Sequence, residues 1–587
     1  MDFHPTPLAF SFQGFHRFSL KNFKPYSLKK SFEFYDPNGR QREKRKGLYD
    51  SFRSNQSGVL RTVCLQNGEI LYENDYRGLR NRIIQLNDTV LLEQYIARYP
   101  RAATGPGEVY YHDPFFIAAE CGSTDALRLL LNVHNTDPTQ RKAPDKRELL
   151  DLACQNAHIN TVRFLVDSEP LLGDVRAGNQ YGDTALLSAA ASLERFRYED
   201  WKDNDLSEEW IRDRFVRSED IIQLLLDRGA SARDSNTSGF FREEYDVHKS
   251  QPRNTVLSLA VSRASPGLVK RLIDEGADVH RKDWYLRLPD SKFGGSDIDA
   301  TDVSVLHLAS SYWNVAAITV LLHNGGTELL SSPDSIGRLP IHWAAAGCMF
   351  HNEHTIPDNE LDSRIIETFK LILTGGLDMI NVKDKEGMTA LFYMIGSHAG
   401  CGIGHLHLLT KFLLEKGANA DLQNNKGQTV LHILASNSMT GEPINAAFID
   451  LLLAHGADIH QTDMNGDTVL HLMAKNLRQV EVTRAVVSKG ANVRAVNAKG
   501  NTPFHEVGLG LLRSRVFRRQ KTEIVTLEDK LKAQNEMVAV LQDGNGYNNA
   551  LMDQPNVAGK APRQLLEERR ALWQDIESKS SRSVRNQ

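Results

Sequence analysis

Several chemistries are excluded by what this 587-residue chain lacks. Its five cysteines, at 64, 121, 154, 348 and 401, are odd in number, widely spaced and never form C-x-x-C. That pattern suits reduced thiols rather than a disulfide framework and points to the cytosol or nucleus. No apolar run approaches the length needed to cross a bilayer, and the N-terminal stretch holds no compact apolar segment followed by a small-residue cleavage site. Charge of one sign is also missing: the net charge is -4 with 25% charged residues, so the chain as a whole carries no nucleic-acid signature. Catalytic patterns are incomplete. Gly400-Cys401-Gly402-Ile403-Gly404 follows no strand, Gly559-Lys560 is followed by Ala561 where a phosphate loop needs Ser or Thr, and His505-Glu506 lacks a second His at 509. Nor does G-x-S-x-G occur. Cys348, His351 and His354 offer three soft ligands where a structural zinc site needs four. The expectation is no catalytic, cofactor-binding or metal-binding residue, and no enzyme.

What the chain has in quantity is repetition. Residues 417–435 read GANADLQNNKGQTVLHILA and residues 456–474 read GADIHQTDMNGDTVLHLMA. From Thr255 to Gly276 and from Ser304 to Gly325 the spacing is 21; from Gly417 to Thr429, Gly456 to Thr468 and Gly490 to Thr502 it is 12. The two spacings together give a unit of about 33 residues. Leu257, Leu259, Ala260, Leu268, Val269, Leu272 and Ile273 keep a helical period that small residues break midway, which predicts two short antiparallel helices per unit. The remainder of the unit, with Gly and Asn at turn positions, predicts a hairpin-like connection.

With openings such as Thr468-Val469-Leu470-His471 and Thr502-Pro503-Phe504-His505, the chain resembles the ankyrin repeat, whose T-P-L-H-x-A signature and period it matches. Nine openings of this kind occur, at 113, 184, 255, 304, 339, 389, 429, 468 and 502. A tenth unit near Glu148-Leu149-Leu150-Asp151 keeps the spacing and loses the motif. The resemblance implies an all-α solenoid of about ten to eleven helix-turn-helix units. It also implies that His307, His342, His432, His471 and His505 form a structural ladder of hydrogen bonds rather than a catalytic or metal site.

The expected organisation follows from these rulers. Residues 1–70 are expected to form a disordered basic, aromatic arm, 74–111 a degenerate first repeat or cap, 112–546 the repeats, and 547–587 a C-terminal capping repeat and tail. Insertions are expected near 191–219, 235–253, 281–303, 348–363 and 512–530. In the first of them Ser207 is a candidate cap for a helix lengthened through Trp210, Ile211 and Phe215. The arm carries twelve Phe or Tyr up to position 52 and no acid between Asp2 and Glu33. Its Arg40-to-Lys46 cluster reads as a nuclear localisation signal and its acid-poor stretch as a mitochondrial presequence, with a solvated tail as the alternative to both. Arg513, Arg515, Arg518, Arg519 and Lys521 form a second basic patch, read as a solvated loop.

Two consecutive insertions lengthen hairpins rather than helices: Gly229 to Thr255 is 26 residues and Gly276 to Ser304 is 28. They bring Phe240, Phe241, Tyr245, Trp284, Tyr285 and Phe293 outside the repeat core, as candidate protein-binding residues or as side chains that pack on their own repeats. The function expected is a monomeric, non-enzymatic scaffold or adaptor that binds another protein through its concave face and hairpin edge, without a membrane span or cofactor. The alternative is a nuclear regulatory cofactor using the basic arm for import or nucleic-acid contact.

Overall fold

The computed structural model describes residues 62–64, 70–72, 76–98, 113–136, 146–168, 175–179, 182–194, 208–236, 254–285, 300–347, 358–398, 405–437, 443–512, 515–516, 522–523, 525–544, 546 and 549–585. The chain divides into two compact units, Met1–Leu79 and Arg80–Gln587. In the first, β1 (Thr62–Cys64) pairs antiparallel with β2 (Ile70–Tyr72).

The second unit is an all-α solenoid in which each repeat supplies one inner and one outer helix. Helix α1 (Tyr76–Gln85) is followed by α2 (Thr89–Arg98), then come α3 (Pro114–Cys121) and α4 (Thr124–Thr136), α5 (Lys146–Gln155) and α6 (Ile159–Ser168), and α7 (Ala185–Glu194) and α8 (Glu208–Asp227). The pairs continue with α9 (Val256–Ala260) and α10 (Pro266–Asp274), α11 (Val305–Ser311) and α12 (Val315–Gly325), α13 (Pro340–Ala346) and α14 (Asp358–Ile372), and α15 (Ala390–His398) and α16 (His405–Glu415). Last are α17 (Val430–Asn437) and α18 (Ala446–Ala454), α19 (Val469–Lys475) and α20 (Val480–Ser488), α21 (Pro503–Gly508) and α22 (Leu527–Gly544), and α23 (Pro562–Arg585). From α3 to α23 every inner helix packs on the next. Stacking is what stabilises such short helices, since a helix of five to ten residues is marginal on its own in water.

The repeated sequence explains the packing. The central inner helices are buried along almost their whole length, as Val305–Ser311 and Pro340–Ala346 are, because each meets the preceding unit, the following unit and its own outer helix. Outer helices keep a polar face: in α10, Leu268, Val269 and Leu272 are buried, while Lys270 and Arg271 pair with Asp274 and Glu275 at the surface. The degenerate unit of α1 and α2 packs on the next unit through α2 and α4, with Asn87 at the join. Asn87 accepts a hydrogen bond from the Ala126 amide (2.9 Å) and donates to Asp125 (3.1 Å), tying α1 and α2 to the next unit.

At the other edge the connections form a ladder. Each regular hairpin has an Asp or Asn whose side-chain oxygen accepts from the amides two and four residues later: Asp384 from Glu386 and Met388, Asn497 from Lys499 and Asn501, Asn556 from Ala558 and Lys560. The tips bond to one another through backbone, Ser335 to Thr301, Lys385 to Ile336, Asn425 to Glu386, Met464 to Lys426, Ala498 to Asn465 and Val557 to Lys499. Glycine is required here. At Gly387 φ is +77°, and an added Cβ would lie 2.8 Å from the Asn425 nitrogen of the next tip. Gly559-Lys560 is the last of these tips, with φ +73° at Gly559.

Insertions fall into two structural kinds. Between helices, α8 runs for 20 residues and α22 for 18, with a short β7 (Arg515–Val516) and β8 (Thr522–Glu523) pair before α22. Between units, β3 (Ser235–Asn236) pairs with β4 (Asn254–Thr255), and β5 (Lys282–Tyr285) with β6 (Ala300–Ser304). Residues 195–207 and the side chains of Trp210 and Ile211, with Cys348, His351, His354, the 400–404 glycine run and the 1–61 arm, lie outside the described residues. Of the second basic patch, Arg515 stands on β7 with its side chain undescribed, and the other four positions are outside.

Candidate partner-binding groove

The five ladder histidines are buried and share one environment. The ring Nδ1 of His307 meets the Ser304 hydroxyl (2.7 Å) and accepts from the Ser304 amide (3.2 Å); that of His471 meets Thr468 in the same way (2.9 and 3.1 Å). Nε2 faces a carbonyl of the next hairpin: Arg338 for His307, Val382 for His342, Asp467 for His432 and Asn501 for His471, at 2.9–3.0 Å. With an N–H aimed at Nδ1 and a carbonyl at Nε2, the proton belongs on Nε2 and the ring is neutral. His505 accepts from Thr502 on Nδ1 (2.9 Å), while its Nε2, near the Gln554 and Lys560 carbonyls, lacks hydrogen-bond geometry. Both nitrogens of a typical ring are thus engaged in joining units. Among the described residues no group of three His, Cys, Asp or Glu could hold a metal ion.

The ladder changes character toward the N-terminus. In the histidine slot stand Phe116, Asp151, Leu187 and Ser258 in four successive units. Here the link between units runs through carboxylates: Asn179 donates to Asp151 (2.8 Å), Thr184 to Asp234 (2.8 Å) and Thr255 to Asp283 (3.4 Å). Asp283, seven residues after Gly276, holds the place of the turn-forming Asp in regular hairpins; in the first long hairpin Asn236 holds it, seven after Gly229, and Asp234 stands two residues earlier. In the two overlong hairpins the tight turn gives way to strands, so their carboxylates turn back to the preceding unit. Burial pushes Asp151 up to about 7, with the Asp183 charge adding and the Asn179 hydrogen bond opposing, and it pushes Asp283 up to about 6. Burial likewise holds His307 down to about 4 and lowers His342, His432 and His505.

The two halves should therefore answer acid in opposite directions. Asp151 is protonated in the fold and would be ionised when unfolded, so its contribution is present at low pH and lost as pH rises through about 7. His307 is neutral in the fold and gains a proton when unfolded, so its contribution is lost as pH falls from 6.5 toward 4, by about 2 kcal/mol at pH 5. Amide exchange measured at pH 7.5 and 5, corrected for intrinsic rates, should show protection falling around α11–α21 and rising around α7–α9 beside Asp234 and Asp283, while at α5 and α6 His158, lowered by burial, opposes Asp151. Parallel changes in both halves would contradict this assignment.

Between these N-terminal units lies a groove with a cavity of about 150 Å³. Leu187, Ser188, Ala191 and Ser192 of α7 form its floor; Gln155 and Asn156 from the end of α5, Arg214 from α8, Asp183, Leu259, and Asn236 and Asn254 from the β3–β4 stem form its walls. Asp183, Ser188, Ser192, Arg214 and Asn236 are all at most 5% exposed. Asn236 donates to Asp183 (2.9 Å), and Arg214 Nη2 donates to the Gln155 carbonyl (2.9 Å). The Ser188 hydroxyl is close enough to Asp151 to favour its anion, yet is not aligned for a hydrogen bond with any group.

Trp284 and Tyr285 stand on β5, whose partner β6 shifts register between Asp283 and Tyr285; their side chains are undescribed. Phe240, Phe241, Tyr245 and Phe293 lie outside the described residues. The stems that carry these segments are neighbours, β4 packing beside β5. The groove itself is not singled out by sequence reading. Its signal is nonetheless present: the loss of histidine from the fourth motif position, and Ser188 and Ser192 four apart in the otherwise apolar helix ALLSAAASLE.

A family model described as "Ankyrin repeats (3 copies)" matches residues 115–198 and 362–463. The NAD-dependent deacetylase sir2B of Dictyostelium discoideum is 28% identical over 231 residues, 37% of this chain and 26% of that protein. The neurogenic locus notch homolog protein 1 of Xenopus tropicalis is 27% identical over 191 residues, 29% of this chain and 6% of that protein. The chain thus spans about a quarter and about one-seventeenth of the lengths of these relatives. Among solved structures the ankyrin repeat domain of Bcl-3, a member of the IkappaB family, is similar at 20% identity and a TM-score of 0.30, covering 43% of this chain and 92% of that one. No helix among the described residues is long and apolar enough to cross a membrane.

Proposed function

For this chain, an ankyrin-repeat solenoid, we propose a role as a non-enzymatic adaptor that holds another protein along the concave groove between α5, α7 and α9 and against the two overlong hairpins beside it. The observation that carries this reading is the coincidence of the two departures from regularity: the groove opens where the histidine ladder is absent, and its rim is the stem of the first long hairpin. A solenoid unit touches only its neighbours, so a local change of surface adapts recognition without unfolding the array. Asp151, Asp283, His307, His342 and His432, all shifted by burial, are engaged in links between units, which favours a structural over a catalytic account of them.

Affinity capture with the full chain beside a variant carrying Phe240→Ser, Phe241→Ser, Trp284→Ser and Tyr285→Ser tests the hairpin contribution. The expected result is loss of the main captured protein by tenfold or more, at about 1.4 kcal/mol per decade; capture of the same proteins in the same amounts would remove the hairpins from the interface. The Arg40-to-Lys46 cluster supports a nuclear variant of the same role. Comparing a tagged chain with one lacking residues 1–52 decides it, since an unchanged distribution would sink the import signal.

A further inference from the structure

The groove has a charge polarity. Asp183 lies beside the start of α7, and Arg214 reaches the carbonyl of Gln155, the last residue of α5. Inner helices of consecutive units run in the same direction, so these charges mark opposite ends of a channel about one ten-residue helix long, roughly 15 Å. Between them the floor is made of small side chains, Ser188, Ala191 and Ser192, which leave room for a main chain. Asn156 and Asn254 on the walls can each donate to a peptide carbonyl and accept from a peptide amide. At the Asp183 end the lining is a carboxylate, which disfavours a nucleic-acid phosphate there.

We infer that the groove takes an extended segment of the partner protein bearing a Lys or Arg at the Asp183 end and an Asp or Glu at the Arg214 end, about four to five residues apart at roughly 3.3 Å per residue. This rests on the adaptor reading and adds to it the chemistry and orientation of what is bound. The cavity of about 150 Å³ holds side chains rather than a folded element. The segment lies across its mouth, with main-chain bonds to the amides and the two charged side chains setting register. Opposite charges at the ends select one orientation, because reversing the segment places like charge against like.

The test selects binders to the immobilised full chain from a random displayed dodecapeptide library, then measures the enriched peptide by fluorescence anisotropy. Enrichment of a basic and an acidic residue four or five apart is expected. Asp183→Asn should weaken that peptide about thirtyfold and abolish the basic preference, and Arg214→Met should do the same for the acidic one. Ala191→Trp fills the floor from a half-buried position without touching either charge, and should block binding with the melting curve preserved. Peptides without the charge pair, peptides bound equally by all three variants, or an absence of enriched peptides would each overturn the inference. Loss of protein capture in the hairpin variant would still leave the adaptor reading standing in those cases.

Discussion

Trp313→Ala is expected to destabilise the middle of the solenoid by about 3–5 kcal/mol, the range for emptying a fully buried tryptophan site. Trp313 occupies the turn between α11 and α12 with φ +51°, a conformation costly for a bulky residue, and its side chain has no exposure. It is held there by the next units. Its indole N–H donates to the Ala344 carbonyl (2.8 Å), its ring lies 6.4 Å from that of His398, and an added Cβ on Gly347 would fall 2.0 Å from it. One side chain thus pins three successive inner helices, α11, α13 and α15. Denaturant unfolding with amide exchange should place the loss at those helices. A loss under about 1 kcal/mol would mean that the surrounding units collapse into the space. Trp313→Gly should be less costly than Trp313→Ala by the left-handed strain it removes, which separates the backbone from the packing contribution.

Asp334→Ala should cost a similar amount, about 3–5 kcal/mol, because it strands a buried cation. The Asp334 and Arg338 side chains are 0% and 1% exposed. Asp334 Oδ2 accepts from Arg338 Nε (2.7 Å) and Trp343 Nε1 (3.0 Å), while Oδ1 accepts from the amides of Ile336 and Arg338. The guanidinium lies 5.0 Å from the Trp343 ring, and the Arg338 carbonyl receives His307. Replacing both charges at once, as Asp334→Leu with Arg338→Met, should recover most of the loss, since paired burial returns little beyond the desolvation it requires. The comparison is a double-mutant cycle by thermal unfolding. If the double variant is as damaged as the sum of the single changes, the pair is not the unit that matters and the turn geometry of Asp334 is.

Regular features were legible because they are local. Thr468 and His471 lie three apart, so one helical turn brings hydroxyl and ring together whatever surrounds them. Gly387 and Gly500 recur because each tip must approach the next closely. The lengthened α8 was readable for the same reason, its Ile211 and Phe215 standing four apart in the sequence of the insertion. The groove was harder to see, since it is made by Gln155, Asp183, Arg214 and Asn254, which no single window of sequence contains. Trp313 and Arg338 were hidden too. Each is buried by neighbouring units, and nothing in its own repeat says that it points inward.

By itself the sequence determined the period, the two-helix unit, the hairpin edge and the place of the long insertions, because all of these follow from interactions within a single repeat unit. Tertiary structure alone decided which polar groups are buried and how they pair: Asp151 with Asn179, His307 with the Arg338 carbonyl, Trp313 under Gly347. The reason is that burial in a stacked array is conferred by the neighbouring unit. A residue's environment there depends on what stands a full repeat or more away along the chain, and composition and spacing carry no record of that contact until the chain has folded.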